Sequence, residues 1–232
     1  MSKLIFPAAP APTLAIAGSD DRIPVQRVFC VGRNYEEHAK EMGQQVERDE
    51  PFYFTKSNEA VVADGSTIPY ASATTNYHYE FELAVVIGAP AFRVSKEEAL
   101  SKVYGYACAL DMTRRDLQLM KRAKQLPWDI GKDIEFSAPI GVVVPAAQFG
   151  TPVAQRIEMR QNGATKQDST LGHLIWSVPE IISHLSTLYH LRPGDVILTG
   201  TPAGVGPCQP GDVLEGTIEG AGSLKVTIGQ PV

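Results

Sequence analysis

The chain has 232 residues, 44% hydrophobic and 20% charged, with a formal net charge of −5. That length holds one large domain with a sizeable core, and the acidic balance gives no electrostatic case for nucleic acid or an anionic membrane as partner. Three widely spaced cysteines, Cys30, Cys108 and Cys208, with no CxxC among them, argue against a disulfide framework or a zinc knuckle.

Residues 1–27 read as an N-terminal arm carrying the short strand TLAIAG and a turn at Ser19-Asp20-Asp21, and residues 28–232 as a single domain. The Pro- and Ala-rich start has one lysine and no uninterrupted apolar region, a poor secretory signal, and no apolar run approaches a membrane span. A cytoplasmic location is the expectation. RVFCVG (27–32) is a short buried strand, and NYEEHAKEMG (34–43) a short helix closed by Gly43. A polar stretch follows, then PFYFTKS as a strand with Lys56 at its end, then loop and turn through Asp64-Gly65 and Ile68-Pro69. NYHYEFELAVVIG (76–88) is an apolar strand that carries two acids at its head. SKEEALSKV (95–103) is a helix with Ser95 as N-cap and Glu98 at the capping-box position. YGYACALDMT is a second buried strand, and RRDLQLMKRAKQ a helix ended by Pro127. IGVVVP is a strand, and IEMRQNGATKQDST a hairpin turning at Asn162-Gly163. SVPEIISHLSTLY is an amphipathic helix, DVILTGTPAGVGP a strand entering a glycine-rich loop, and the tail a closing hairpin. Strands outnumber helices without alternating regularly with them, so the fold class is α+β.

Side chains in a strand alternate faces, which puts Tyr79, Phe81 and Leu83 on one side and His78, Glu80 and Glu82 on the other. The backbones of Glu80 and Glu82 are then about 7 Å apart, and their carboxylates can converge on one point. Two such charges repel and raise each other's pKa unless a cation joins them; otherwise the face is simply wet, as in many antiparallel sheets. Asp111 stands where an apolar strand gives way to a helix. It serves either as a third carboxylate or as that helix's N-cap. Three carboxylates would form an oxygen set suited to Mg²⁺ or Mn²⁺. His38 and Glu41, three apart on a helix, are either a general base with its orienting carboxylate or an incidental surface pair. Arg115 and Gln118 share a helix side with the Asp111 end. The arginine suits a carboxylate clamp and the glutamine an oxyanion donor, while Arg114, Asp116, Lys121 and Arg122 suit plain solvated surface. Lys132 follows Gly131 in a loop, normally an exposed position. The loop TGTPAGVGP (199–207) lacks the lysine of a Walker loop, so a nucleotide site is not expected, although its amides with Thr201 could hold a carboxylate.

The stretches GRNYEEHAKEMG, FTKSNEAVV, HYEFELAVVIG, YGYACALDMTRRDLQ, LPWDIGKDIEFSAPIG and ILTGTPAGVGP together resemble the fumarylacetoacetate hydrolase superfamily, in its order and over about residues 28–215. The resemblance is strongest to the short acylpyruvate hydrolase branch and its fumarylpyruvate-cleaving bacterial members. It implies a mixed β-roll with flanking short helices, a homodimer, and residues 28–232 as the catalytic domain. It implies a Mg²⁺ or Mn²⁺ held by Glu80, Glu82 and Asp111, and a His38–Glu41 dyad on a helix that orders as a lid, with the stretch 41–50 bearing on acyl choice. It places Lys132 and Gln118 as oxyanion and substrate groups, with Arg115 and Thr201 binding substrate. The implied reaction is hydrolysis of the C–C bond of a 3-acylpyruvate, fumarylpyruvate giving fumarate and pyruvate in gentisate-type aromatic catabolism. Oxaloacetate decarboxylation, or decarboxylation and isomerisation of ring-cleavage dienoates, is the alternative within the superfamily. A metal-stabilised binding protein without turnover is the alternative outside it.

Overall fold

The computed structural model describes residues 4–41 and 48–231. Its largest sheet runs, in spatial order, Phe52–Lys56, Val28–Gly32, Val196–Leu198, Phe81–Ile87, Val103–Leu110, Ala138–Ile140 and Val61–Ala63, with Val144–Pro145 paired alongside Val103–Leu110. A five-stranded sheet packs against it, ordered Ala164–Thr170, Arg156–Gln161, Val213–Ile218, Gly222–Pro231 and Thr67–Tyr70. Parallel pairs, such as Val196–Leu198 on Val28–Gly32, lie among antiparallel ones. The fold is therefore a mixed α+β β-roll with few short helices.

The main core lies between these two sheets. Phe81, Leu83, Val85 and Ile87 present one face of their strand to Ile157, Met159, Leu214 and Val226. The opposite face, with Ala84, Val86, Ala107 and Ala109, belongs to a second cluster that the N-terminal hairpin covers through Leu14 and Val25. Small residues on that face leave room, and Glu80 and Glu82 follow on it at the strand's open end.

Several boundaries differ from expectation. Ser19-Asp20-Asp21 is not a turn but part of the strand Ser19–Pro24; the chain turns one step earlier, at Ala17 and the left-handed Gly18. Ile68-Pro69 lies in the strand Thr67–Tyr70, at the edge of its sheet, where proline is tolerated because no ladder donor is missed. The helix from Arg115 stops at Ala123, before Pro127, because Gln125 takes a positive φ of 55°. Residues 140–145 form two short strands rather than one. The run 76–88 is also two strands, Tyr77–Tyr79 and Phe81–Ile87, with Glu80 between them. The first half pairs in a separate three-stranded sheet with Thr113–Arg114 and Gly206–Pro207. The lid helix spans Glu36–Glu41, and its expected closure at Gly43, with most of the stretch 41–50, lies outside the described residues. The Asn162-Gly163 hairpin turn has both residues at positive φ, and both capping boxes, at Ser95–Glu98 and Ser177–Glu180, are formed.

Candidate active site

Sheet register brings the three acids together. Glu82 pairs with Ala109 across the antiparallel ladder, so two residues outward Glu80 stands opposite Asp111. The Asp111 N–H donates to the Glu80 carbonyl at 2.8 Å. Both residues mark the point where their chain leaves the large sheet for the small one. Carboxylate oxygens of Glu80, Glu82 and Asp111 lie within 4.8 Å of one another, and all three residues are buried. Asp111 is four residues before the first helical residue, Arg115, whose N-cap position is taken by Arg114, so the N-cap alternative is excluded. His78 is no part of the set; its Nε2 contacts Asn76 Oδ1 at 2.8 Å.

Three buried cations surround the acids. Lys132 does not sit in an exposed loop. It ends the short helix Asp129–Lys132 with 2% of its surface accessible, because the acids draw its ammonium inward. Its Nζ donates to Glu80 Oε2, Asp111 Oδ2 and Thr113 Oγ1, each at 2.7 Å, which uses all three of its protons. Arg115 pairs with Glu80 Oε1 and donates to Gln118 Oε1, leaving the Gln118 amide nitrogen as the available donor of that side chain. Lys56 donates to Ser137 Oγ and to the carbonyls of Met112 and Lys132. Its Nζ also lies 2.9 Å from Asp111 Oδ1.

These cations divide the acids unequally. Burial alone would raise the Glu80 carboxyl, but the charges of Lys132 and Arg115 outweigh it and hold the group below the usual range. Burial would likewise lower Lys132, and Asp111 and Glu80 more than offset that. Glu82 has no cationic partner among these contacts. Burial, reinforced by the charges of Asp111 and Glu80, pushes its carboxyl well above the ordinary range. Its Oε2 accepts one N–H, from Gly200 at 2.6 Å. Asp111 Oδ1 is buried and has no hydrogen bond, despite the nearby ammonium. A divalent cation fits this set: all donors are hard oxygens, one carboxylate lacks a counter-ion, and one buried oxygen lacks a hydrogen-bond donor.

The glycine-rich loop closes one side. Gly200 has φ +97°, and a Cβ there would come within 2.7 Å of Asn34 Cβ. Asn34, fully buried, donates to the Thr199 and Trp176 carbonyls at 2.7 and 3.0 Å and accepts from Trp176 N–H at 2.7 Å. Thr201 lines the cleft, but its hydroxyl is committed, donating to the Phe81 carbonyl and accepting from Gln167 Nε2. Gln167 also accepts the Phe81 N–H at 3.0 Å, tying strand head to loop. Asn34, Lys56, Thr113 and Gln167 went unassigned in the sequence reading. Lys56 is legible by the same pattern as Asp111, a charge closing an apolar strand; Gln167, in a polar hairpin arm, carries no such sign.

His38 and Glu41 form a real pair. His38 Nδ1 lies 3.0 Å from Glu41 Oε2, and the Gly204 N–H reaches both Glu41 oxygens at 3.2 and 3.3 Å. The His38 hydrogen bond lowers the Glu41 carboxyl, with burial opposing and Gly204 assisting. His38 lines the same cleft of about 500 Å³ as Glu80, Glu82, Asp111, Arg115, Gln118, Lys132 and Thr201. All the expected site residues except Glu41 thus open directly on one cleft, and Glu41 is hydrogen-bonded to a residue that does.

Residues 27–229 match the family model described as fumarylacetoacetate (FAA) hydrolase C-terminal. The chain belongs to the fumarylacetoacetate hydrolase family. It is similar to a fumarylpyruvate hydrolase from Ralstonia sp., 50% identical over 191 residues, which are 81% of this chain and 98% of the relative. The crystal structure of fumarylpyruvate hydrolase from Pseudomonas aeruginosa in complex with Mn²⁺ and pyruvate superposes with a TM-score of 0.95 at 46% identity, covering 98% of this chain and all of that one. The mitochondrial oxaloacetate tautomerase of Bos taurus is 39% identical over 206 residues, 89% of this chain and 93% of the relative.

Proposed function

We propose that this protein is a Mg²⁺- or Mn²⁺-dependent hydrolase of 3-acylpyruvates, splitting fumarylpyruvate to fumarate and pyruvate. One observation carries the reading: a buried three-carboxylate set and a carboxylate-paired histidine open on a single cleft. Half the residues are shared with a fumarylpyruvate hydrolase, which supports the same choice over the tautomerase relatives.

Glu80, Glu82 and Asp111 would hold the cation, which supplies Lewis-acid stabilisation of the pyruvate oxygens when bound. Glu41 fixes the His38 ring through Nδ1 and favours the imidazolium that forms when Nε2 takes a proton from water. The hydroxide attacks the distal carbonyl. The Gln118 amide donates to the developing oxyanion, and Lys132 joins it by exchanging one carboxylate partner. Such donors contribute about 3 kcal/mol each. The C–C bond then breaks, its electrons pass to the pyruvate fragment as an enolate, and His38 returns the proton to that carbon. Arg115 holds the substrate's carboxylate end, with the Thr201 loop as the adjoining wall.

Aromatic catabolism is the setting in which such a substrate arises. A cytoplasmic homodimer, with residues 28–232 as the catalytic unit behind an N-terminal arm, is the organisation the family resemblance favours; light scattering of the purified protein tests the dimer. The reaction is tested by decay of fumarylpyruvate enol absorbance with Mg²⁺ and then with EDTA, beside acetylpyruvate and oxaloacetate. EDTA-sensitive loss yielding fumarate and pyruvate supports the reading. Release of CO₂ from oxaloacetate without loss of either acylpyruvate overturns it in favour of a decarboxylase.

A further inference from the structure

The cleft has a second charged end. Arg33 and Arg122 line it together with Phe54 and Trp128, and they come from different elements. Arg122 lies seven residues beyond Arg115 and four beyond Gln118 on one helix, so the three share a face, and Arg122 is the outermost. Arg115 and Gln118 are buried and Arg122 is half-buried, which makes the helix a ramp from the carboxylate set toward solvent. Arg33 is exposed and follows the strand Val28–Gly32 at a positive φ of 61°, rare for a residue with a side chain. Its guanidinium carbon lies 5.4 Å from the Phe52 ring centre and 5.6 Å from that of Trp128. An arginine stacked on aromatic faces keeps its N–H edge for in-plane bonds to a carboxylate.

The inner acids do not call for these two arginines, since Glu80 and Asp111 are matched by Lys56, Arg115 and Lys132. Four basic and three acidic side chains line the cleft. Once a divalent cation is added, the positive excess is one that a monoanion leaves largely uncompensated and a dianion offsets. We infer that Arg33 and Arg122 form a subsite for a second carboxylate at the far end of the acyl group, with Phe54 and Trp128 as the apolar wall beside the intervening planar carbons. The inference rests on the proposed acylpyruvate chemistry and sharpens it. The favoured acyl group is a dicarboxylic one, and a trans double bond, which extends that carboxylate away from the attacked carbonyl, suits two groups at opposite ends of one cleft.

The test compares kcat/KM for fumarylpyruvate and acetylpyruvate in the Mg²⁺-loaded wild type, Arg33→Met and Arg122→Met. The fumaryl-to-acetyl ratio is expected to fall at least tenfold in each variant, and Arg122→Lys is expected to retain more of it than Arg122→Met. Calorimetric titration of the Mn²⁺-loaded protein with fumarate gives a reading that needs no turnover, and affinity is expected to fall at least fivefold in both methionine variants. An unchanged ratio with unchanged fumarate affinity overturns the subsite. If the wild type cleaves neither acylpyruvate, the proposed reaction fails, and fumarate affinity alone then decides whether the two arginines hold a carboxylate.

Discussion

Asp111 and Glu80 meet across two strands at the step where both leave the large sheet, the Asp111 N–H donating to the Glu80 carbonyl at 2.8 Å. That backbone contact fixes the spacing of two carboxylates on a rigid ladder, while the third, Glu82, sits one ladder step deeper with only a backbone N–H beside it. The acid with the fewest partners therefore governs how the site responds to a cation.

Replacing Glu82 with glutamine removes a buried charge but keeps an oxygen for the Gly200 N–H. Mn²⁺ affinity should fall more than about 100-fold, since even outer groups that orient metal ligands are worth 10- to 100-fold. The metal-free variant should melt higher than the metal-free wild type, by about 2–4 °C for each kcal/mol of relieved desolvation. Calorimetric Mn²⁺ titration and thermal melts with EDTA measure both; a lower metal-free Tm would refute the account of Glu82.

Metal uptake should depend on pH with a definite sign. Burial first, then Asp111 and Glu80, raise the Glu82 pKa, so protons compete with metal at this ligand and Mn²⁺ affinity drops as pH falls through that raised value. In the metal-free protein the unfolded chain loses this proton at lower pH than the folded one. This group's contribution therefore lowers stability as pH rises from the usual carboxylate range toward the raised pKa. Titrations in buffers of different ionisation heat should show proton release on binding; binding without proton release would contradict the assignment.

His38→Ala should lower kcat on fumarylpyruvate by about 10²- to 10⁴-fold, the usual range for a lost general base. Mn²⁺ affinity should stay within a few-fold of wild type, because His38 ligates nothing in the carboxylate set. A large loss of metal binding would move His38 from water activation to the metal site.

Gly200→Ala should damage both the loop and the metal site. The left-handed φ costs an alanine about 1–2 kcal/mol, and its Cβ would also press on Asn34, 2.7 Å away. We expect a Tm fall of roughly 5 °C together with weaker Mn²⁺ binding, since the Gly200 N–H steadies Glu82. Loss of stability with metal affinity intact would show that the loop does not orient that carboxylate.

Local patterns in the sequence determined a good deal. Acids at the heads of apolar runs, the three-residue spacing of His38–Glu41 and Arg115–Gln118, the capping boxes and the Asn162-Gly163 turn each rest on short-range geometry, which neighbours in the chain specify on their own. The tertiary structure decided what depends on long-range pairing. It split the strand at Glu80, because two different sheets claim its halves. It buried Lys132, which a loop position alone would leave in water, because two carboxylates from distant strands draw the ammonium inward. It made an edge strand of Ile68-Pro69 through a partner at the far end of the chain. It also brought Arg33 to the same cleft as Arg122, though about ninety residues separate them in a sequence where both resemble ordinary surface charge. Register, burial and ion pairing between distant segments are properties of the folded chain, and no window of sequence contains both partners.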